Sequence, residues 1–463
     1  MSDGPRQPCD LLLTGGLVLT LDDHDRIIAD GAVAITGTRI QAIGPSAEIA
    51  RRFAPDRTIL ARERIVMPGL VNVHNHTPLM ITRGMIEDLG FAPMYTSGIP
   101  QGHRLSAEEA YLLSRLGAYE LLRAGCTTVM DFYRYPESCA RAHDELGLRA
   151  VVAGRVHDAD PEAIAQGRHE YSTAVGQASL AENARLIEDW NGRGDGRIRC
   201  DWAPHAPDTC SDALLREVAG LAAAHGGNVH THLAQSAREV TLVRERSGRS
   251  PAEALDEAGL LDRRTIAAHC IHLDEADIRR CGRAGITVAH SPIGNAKSGE
   301  IAPIMALTES GARVALCTDT MSGDMIEAMR WAVAMQRVRG GGRLVLDAGA
   351  MLSWATRAGA QALGLGPEIG SIEVGKKADI ILLDATAPTL APIVDGYGIV
   401  VYSASGHDVD TVIVDGRVLL EGGRLTIADG PEIVRTAQAA AERLWLDAGR
   451  APVTRTGRES GSP

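Results

Sequence analysis

Apolar and polar positions divide the chain into three parts with different periodicities. In the first part, apolar runs with strand-like composition are interrupted by turn residues, and they cover residues 11–21, 27–36 and 39–43. From residue 67 to about residue 365, strand-like runs alternate with helical patterns instead. After a helical stretch at 347–363, β-type runs return at residues 379–383, 409–414 and 417–420, before a last helical pattern at 431–448.

The middle part contains eight apolar runs that predict buried strands. They span residues 70–73, 127–131, 149–154, 198–203, 228–232, 265–269, 286–290 and 313–317. The helical patterns among them include residues 107–123, 212–225, 275–283, 301–310 and 324–339. Strands that alternate with helices form parallel sheets, so eight such units predict an α/β fold with a (β/α)8 TIM-type barrel. An open doubly wound sheet is the alternative, but no Gly-x-Gly-x-x-Gly phosphate loop supports it.

The β-type runs at the two ends of the chain predict a second domain that is discontinuous in sequence. The first runs predict a small antiparallel sheet, and the last runs complete it as a flanking β-sandwich with the barrel inserted. The predicted units are the N-terminal part of the sandwich, the barrel, the C-terminal part of the sandwich, and a closing helix with a disordered tail, at residues 1–66, 67–368, 369–430 and 431–463.

Composition restricts the class of protein. The 463 residues carry a net charge of −12 with no basic cluster, so we expect no nucleic-acid partner. None of the eight cysteines forms a Cys-x-x-Cys pair, which favours buried thiols in a reducing compartment. No apolar run approaches the roughly 20 residues that span a bilayer, and no leader-like segment opens the sequence. We therefore expect a cytoplasmic protein with no membrane partner.

Ionisable side chains recur at the C-terminal ends of the predicted barrel strands. They are His74 and His76 on the first strand, His230 and His232 on the fifth, His269 on the sixth, His290 on the seventh and Asp319 after the eighth. The C-terminal strand ends of such a barrel meet at one mouth. Neutral imidazoles with a carboxylate suit one divalent ion, Zn²⁺ or Fe²⁺, that leaves a position for water. Such an ion lowers the pKa of that water.

The fifth strand offers two candidate ligands. His230 and His232 share one face because alternate side chains of a strand point the same way. We choose His232 because it lies nearer the mouth, and we expect His230 to be packed or hydrogen-bonded. Each histidine taken alone is more often a structural residue than a ligand.

Residues 66–78, which contain His74-Asn75-His76, resemble the opening signature of the amidohydrolase superfamily. The resemblance is nearest to the branch of methylthioadenosine/S-adenosylhomocysteine deaminases, guanine and 8-oxoguanine deaminases, and triazine hydrolases. Further blocks similar to the family lie at residues 203–207, 230–234, 267–270, 290–292, 317–319 and 370–379.

The resemblance implies a site for hydrolysis at a ring carbon of a small nitrogen heterocycle, purine-like, pterin-like or triazine-like. The implied metal ligands are His74, His76, His232 and Asp319. The resemblance also implies that His269 stabilises the attacking hydroxide or the developing charge, and that Asp319 takes the proton of the water. A small-molecule substrate is the implied partner, and barrels of this type commonly associate, so we expect a homo-oligomer.

Two further residues are substrate-contact candidates. The resemblance places His205 against the heterocycle; the alternative is a histidine packed at a strand end. Arg155 ends the third strand and is a candidate for binding a polar substituent, although an arginine there is often a solvated ion-pair partner.

One position departs from the family pattern. Deaminases of this branch have a glutamate three residues after the fifth-strand ligand, where this chain has Gln235. An amide exchanges no proton at neutral pH, and losing a general acid typically costs ~10²–10⁴-fold in rate. Glu239 reaches into the site, or is a solvated charge on a helix surface. If no acid replaces the glutamate, the reaction is dechlorination or hydrolysis of a cyclic amide instead of deamination. A further alternative is a barrel that binds a ligand without catalysis.

A second departure concerns the size of the substrate. Nucleoside deaminases of the branch have a tryptophan-containing segment over the ribose, whereas residues 90–98 contain no tryptophan. This favours a compact ring over a nucleoside.

Overall fold

The computed structural model describes residues 6–85, 105–160, 163–164, 166, 168–320 and 322–449. The tryptophan-free segment 90–98 and the predicted tail after residue 449 lie outside these residues. No helix in the described ranges has both the length and the apolar composition needed to cross a membrane.

One mixed sheet of nine strands is built from both ends of the chain. Its strands are β1 (Gln7–Leu19), β2 (Ile27–Thr36), β3 (Arg39–Pro45), β4 (Phe53–Leu60), β5 (Arg64–Pro68), β15 (Ile380–Asp384), β16 (Val409–Val414), β17 (Arg417–Glu421) and β18 (Arg424–Leu425). The order is β18-β17-β16-β15-β5-β1-β2-β3, with β4 beside β1. The three predicted N-terminal runs pair antiparallel as expected, β1 with β2 and β2 with β3, and β1 also pairs in parallel with β4 and β5. β5 pairs antiparallel with β15, and this pairing joins the two ends of the chain.

Nine further strands form two parallel sheets between these ends. The first sheet contains β6 (Leu70–Asn75), β7 (Cys126–Tyr133), β8 (Arg149–Val156), β9 (Ile198–Cys200) and β10 (Ala203–Pro204). The second contains β11 (Val229–Leu233), β12 (Thr265–His269), β13 (Thr287–His290) and β14 (Arg313–Leu316). The predicted run at residues 198–203 is two short strands, both of which pair with β8.

Helices connect the parallel strands, and one more follows the last of them. They are α2 (Ala107–Arg123), α3 (Pro136–Glu145), α4 (Thr173–Trp190), α5 (Asp212–His225), α6 (Ala237–Ser247), α7 (Pro251–Ala258), α8 (Glu275–Ala284), α9 (Pro292–Lys297), α10 (Ile304–Ser310) and α11 (Met325–Arg339). A helix α1 (Ser46–Arg52) lies in the N-terminal part, and α12 (Ala348–Ala355), α13 (Arg357–Ala362), α14 (Gly396–Tyr402) and α15 (Gly430–Asp447) follow α11. The predicted single helix at 347–363 is therefore interrupted, because Thr356 has non-helical φ and ψ of −134° and −89°.

The edges of the two parallel sheets meet at two places. A parallel bridge joins Asn75 to Asp319, and the Asp319 amide donates to the His74 carbonyl over 3.1 Å. A second bridge joins Trp202 to Val229. Because β11 and β12 pair in register, with His232 opposite Ala268, the C-terminal ends of neighbouring strands lie at one level.

Candidate metal centre and active site

Three buried histidines bring their ring nitrogens together at the C-terminal ends of the parallel strands. His74 and His76 come from the end of β6, and His232 comes from β11. One nitrogen of each ring lies within 4.8 Å of the corresponding nitrogens of the other two. Nε2 of His76 and Nε2 of His232 are 3.2 Å apart. Asp319 Oδ1 lies 3.8 Å from His74 Nε2 and 3.7 Å from His76 Nε2, so the carboxylate borders the three-histidine group on the side of these two rings.

Backbone carbonyls determine which nitrogen of each ring faces this point. Nδ1 of His76 lies 2.6 Å from the carbonyl oxygen of Phe132, and Nδ1 of His232 lies 2.6 Å from that of His205. A carbonyl oxygen only accepts, so Nδ1 of each ring must carry the proton and donate it. In a neutral imidazole the other nitrogen then has a free lone pair, so the Nε2 atoms of His76 and His232 are ready to bind a metal.

Burial keeps these rings neutral. Loss of solvation, followed by the nearby His76 and His232, holds the pKa of His74 well below its usual range. Burial is also the main cause that lowers the pKa of His76 and of His232. Neutral imidazole is the form that binds divalent ions, so the environment favours the metal-binding state at neutral pH.

One observation indicates, independently of the family resemblance, that these side chains suit a divalent ion. Nε2 of His74 is buried and has no hydrogen-bond partner among the described residues. A buried polar atom without a partner is costly unless something outside the chain satisfies it. Three imidazole nitrogens with one carboxylate oxygen are ligands that Zn²⁺ and Fe²⁺ accept, so His74, His76, His232 and Asp319 would hold such an ion.

His269 stands beside the carboxylate of this cluster. Its Nε2 lies 3.9 Å from Asp319 Oδ2, and its Nδ1 lies 3.0 Å from Oδ1 of Asn295. The amide oxygen accepts from Nδ1, which leaves the Nε2 lone pair on the side of Asp319. Both His269 and Asp319 adopt positive φ, 72° and 57°, a strained conformation that costs about 1–3 kcal/mol per residue and concentrates at functional sites.

The two predicted substrate-contact residues are both buried beside the histidines. The ring of His205 lies 4.7 Å from that of His232, and its Nδ1 is 2.8 Å from the Thr209 hydroxyl. Arg155 is not the solvated ion-pair partner that its position also allowed. It is 3% exposed, its guanidinium lies 4.8 Å over the ring of Tyr133, and burial lowers its pKa. Nε and Nη2 of Arg155 have no partner in the described part of the chain.

Gln235 and Glu239 lie just after the end of β11, and Glu239 is not the solvated surface charge that its position also allowed. Glu239 is fully buried at the start of α6, where Ser236 caps the helix. Its two carboxylate oxygens accept hydrogen bonds from the backbone amides of Ala234 and Gln235, each over 2.8 Å. Burial, and then the nearby Asp208, raise the pKa of Glu239 to about 8. The carboxylate is therefore held on the loop backbone, whereas Nε2 of Gln235 is buried with no partner within the described residues.

The other two strand-end histidines stand apart from the cluster. Nε2 of His230 lies 2.9 Å from Oδ2 of Asp201, so His230 pairs with this carboxylate while Nε2 of His232 faces His76. His290 is buried with neither ring nitrogen bonded within the described ranges. Burial, and then His269, lower the pKa of His290 to about 3, so this ring stays neutral.

Sequence reasoning assigned no role to several groups that orient the cluster. The carbonyls of Phe132 and His205 had no sequence signal, because every residue has a carbonyl. Asn295 did have one, since it lies three residues after the family-like block at residues 290–292.

Known proteins resemble the chain along almost its full length. A 5-methylthioadenosine/S-adenosylhomocysteine deaminase of Pelotomaculum thermopropionicum is 35% identical over 441 residues, covering 94% of this chain and 99% of the relative. A 5'-deoxyadenosine deaminase of Methanosarcina acetivorans is 34% identical over 441 residues, covering 94% and 98%. The crystal structure of an adenosine deaminase from Xanthomonas campestris with bound zinc has a TM-score of 0.86 and 31% identity, covering 96% of this chain and 100% of that one.

The family predicted from the sequence motifs is confirmed by these relatives and by a family model. The model of the amidohydrolase family matches residues 65–419, a range that contains every residue of the histidine cluster. Together with relatives above 30% identity at nearly full coverage, this match shows that the chain belongs to the amidohydrolase family.

Proposed function

We propose that this protein is a metal-dependent hydrolase that removes the amino group from a 6-aminopurine ring, either free or in a nucleoside. The observation that carries the proposal is the convergence of the His74, His76 and His232 rings, with the Asp319 carboxylate beside them and His269 next to that carboxylate. Both relatives and the structural neighbour above are named as deaminases of adenosine-type compounds. These names support an aminopurine more strongly than the pterin or triazine rings, and they favour a nucleoside over the compact ring expected from residues 90–98.

The side chains around the cluster have separable tasks. A bound Zn²⁺ or Fe²⁺ supplies the positive charge that lowers the pKa of a water molecule in the pocket. Asp319 accepts the proton of that water as the oxygen attacks the ring carbon, and returns it to the amino group, which leaves as ammonia. His269, held by Asn295 with its Nε2 lone pair inward, stabilises the attacking oxygen through a hydrogen bond. His205 and Arg155 position the heterocycle through polar contacts.

The test is ammonia release from adenosine, 5'-deoxyadenosine and methylthioadenosine by zinc-reconstituted protein, followed together with the ultraviolet change of the purine. We expect turnover that falls by ~10²–10³-fold in His269→Asn, the loss typical of removing a hydrogen bond that stabilises developing charge. His225→Asn is the matched control. His225 lies at the end of α5, and its hydrogen bond within the described residues is to the Cys200 carbonyl, outside the histidine cluster. Ammonia release that is equal in wild type and His269→Asn would contradict the proposal.

Gln235 motivates a second candidate, hydrolysis of a substituent that departs without protonation of a ring nitrogen. Its amide nitrogen is buried without a partner, so it can donate a hydrogen bond to a ring nitrogen. It cannot deliver a proton there, and Glu239 is bound to the loop amides instead. A chloro, alkoxy or cyclic amide group depends less on protonation of the ring nitrogen for its departure than an amino group does.

Gln235→Glu separates the two candidates. If the amino group is the natural leaving group, the introduced carboxyl should raise deamination of the panel, by about 10²-fold where ring protonation limits the rate. Gln235→Ala is the control, because it removes the amide without adding an acid. If glutamate leaves deamination unchanged and abolishes hydrolysis of a chlorinated or methoxylated analogue, the second candidate replaces the first.

We also propose that the two parallel sheets together form the (β/α)8 barrel, at about residues 67–368. The bridges from Asn75 to Asp319 and from Trp202 to Val229 support this closure, as do the helices that follow the strands. The nine-stranded sheet would then be the flanking domain, assembled from residues 1–66 and 369–430, with α15 as the closing helix.

A further inference from the structure

We propose that Asn72 and Thr318 form a clamp that sets the distance between the metal ligands of the first strand and the carboxylate after the last. The proposal rests on the proposed metal site and assigns positioning residues that touch neither metal nor substrate. The clamp lies between β6 and β14, where one sheet edge supplies His74 and His76 and the other supplies Asp319.

The backbone alone ties these two edges weakly. In the described structure, β6 and β14 share no regular ladder, only the bridge between Asn75 and Asp319. One backbone hydrogen bond crosses the junction close to the ligands, from the Asp319 amide to the His74 carbonyl over 3.1 Å. The ligand separation at this junction therefore depends on other contacts.

One amide side chain supplies most of them. Nδ2 of Asn72 donates to the Thr318 hydroxyl over 2.7 Å, and its Oδ1 accepts from the Thr318 backbone amide over 3.2 Å. The same Oδ1 lies 3.4 Å from the backbone amide of His74. Asn72 thus contacts the backbone of one ligand and both polar groups of the residue that precedes Asp319.

Asn75 adds a second tie from the residue between the two histidines. Its Nδ2 donates to the Thr318 hydroxyl over 3.0 Å, so this oxygen accepts from Asn72 and Asn75 together. Asn72, Asn75 and Thr318 are all at most 1% exposed. A hydroxyl held by two amide donors has little freedom to move, so the backbone at Thr318 is fixed relative to both histidines.

The neighbouring residues indicate that the polar side chains of Asn72, Asn75 and Thr318 hold the two strands in position and are not needed to fill space. Val71 and Val73, on either side of Asn72 in the chain, and Cys317, next to Thr318, belong to one buried apolar cluster. An apolar side chain at position 72 could pack there, but it would leave the buried Thr318 backbone amide without its acceptor. The positive φ of Asp319, 57°, is a strained conformation that persists only where its neighbours hold it. Thr318, a residue of the clamp, immediately precedes Asp319 in the chain.

The experiment compares three threonine variants as full-length protein. Thr318→Val keeps the shape and removes the hydroxyl, Thr318→Ser restores the hydroxyl, and Thr287→Val is the matched control. Thr287 is a buried threonine of β13 whose hydroxyl has no partner within the described ranges. The readouts are zinc affinity by competition with a chromogenic chelator, the visible spectrum of the Co²⁺-substituted protein, and the thermal midpoint of the metal-free protein.

We expect Thr318→Val to weaken zinc binding by about 10–100-fold, the typical effect of losing an outer contact that orients ligands, and to alter the Co²⁺ spectrum. Thr318→Ser and Thr287→Val should match wild type in both. Asn72→Leu should behave like Thr318→Val; if it does not fold, the Thr318 pair decides the question.

Wild-type affinity and an unchanged Co²⁺ spectrum in Thr318→Val would overturn the clamp, even if the thermal midpoint falls, because the contacts would then serve stability alone. A wild-type protein that binds neither zinc nor Co²⁺ would instead overturn the proposed metal site itself, and the clamp with it.

Discussion

Two buried polar clusters lie at opposite ends of the parallel strands and differ in how their charges are balanced. At the start of β8, Arg149 donates to both oxygens of Asp379, over 2.8 and 3.0 Å, and to Asp415 over 2.6 Å. Lys377 lies 3.2 Å from Asp415 and adds a second cation. At the other end, the histidine cluster contains His74 with an unbonded nitrogen and one carboxylate, Asp319.

This difference distinguishes a cluster built for stability from one built for chemistry. In the Arg149 cluster, each charge has an opposite charge within hydrogen-bond distance, and Arg149 links β8 to the loops that border the nine-stranded sheet. In the histidine cluster, lone pairs converge with nothing of the described chain to bind them, a cost that a ligand is expected to offset. The first cluster should therefore control the free energy of unfolding, and the second should control metal binding and turnover.

The largest expected effect is the loss of metal in His232→Leu, which replaces the ring by an apolar side chain of similar size. Removing a ligand should reduce zinc affinity and turnover by more than the ~10–100-fold typical of outer contacts. The metal-free protein should lose at most about 1 kcal/mol of stability, through the lost hydrogen bond to the His205 carbonyl. Metal analysis and urea unfolding measure the two quantities.

His230→Leu is the control for that variant, two residues along the same strand. His230 bonds to Asp201, so its removal should lower stability and still leave one zinc per chain. Zinc retained by His232→Leu and lost by His230→Leu would reverse the assignment of the ligand.

The opposite result is expected at the Arg149 cluster. Arg149→Met leaves Asp379 and Asp415 buried without their main cation, which should cost about 3–5 kcal/mol in the free energy of unfolding. The folded fraction should still bind zinc with wild-type affinity. Arg52→Met is the control, because the Arg52–Glu48 pair is about half exposed and worth at most ~1 kcal/mol. A stable Arg149→Met protein would show that this cluster is not structural.

The smallest effect, taken per pH unit, concerns Glu239, a buried carboxyl that has backbone partners but no cation. Burial raises the pKa of Glu239 from 4.5 to about 8, above its value in the unfolded chain. The folded protein then holds a proton that the unfolded chain has released, so stability falls as pH rises from about 4.5 toward 8, by up to about 1.4 kcal/mol per pH unit. Glu239→Gln should flatten this slope.

Urea unfolding between about pH 6 and 8 measures the slope directly. Glu245→Gln, at an exposed position of the same helix α6, should keep the wild-type slope. Equal slopes for wild type and Glu239→Gln would contradict a protonated Glu239 in the folded state.

Much of the fold and of the site could be predicted because the signals are local. Strand and helix periodicities indicated the alternating segments, and the motif around His74 and His76 indicated the family. The mixed pairing of β1 and the interruption at Thr356 were missed, because pairing partners and helix breaks depend on contacts with distant segments. The exposure of Glu239 was misjudged for the same reason, since only the folded loop brings the amides of Ala234 and Gln235 to its carboxylate.

The sequence by itself determined which residue types stand at the strand ends, because their order and spacing are properties of the chain. Only the tertiary structure decided which lone pairs face one another. The partner of each imidazole Nδ1, the separation of His230 from the cluster and the contacts of Asn72 with Thr318 all depend on distances between residues far apart in the chain. Which group donates to which depends on donor–acceptor distances of about 3 Å, and the periodicity of a sequence contains no information about such distances.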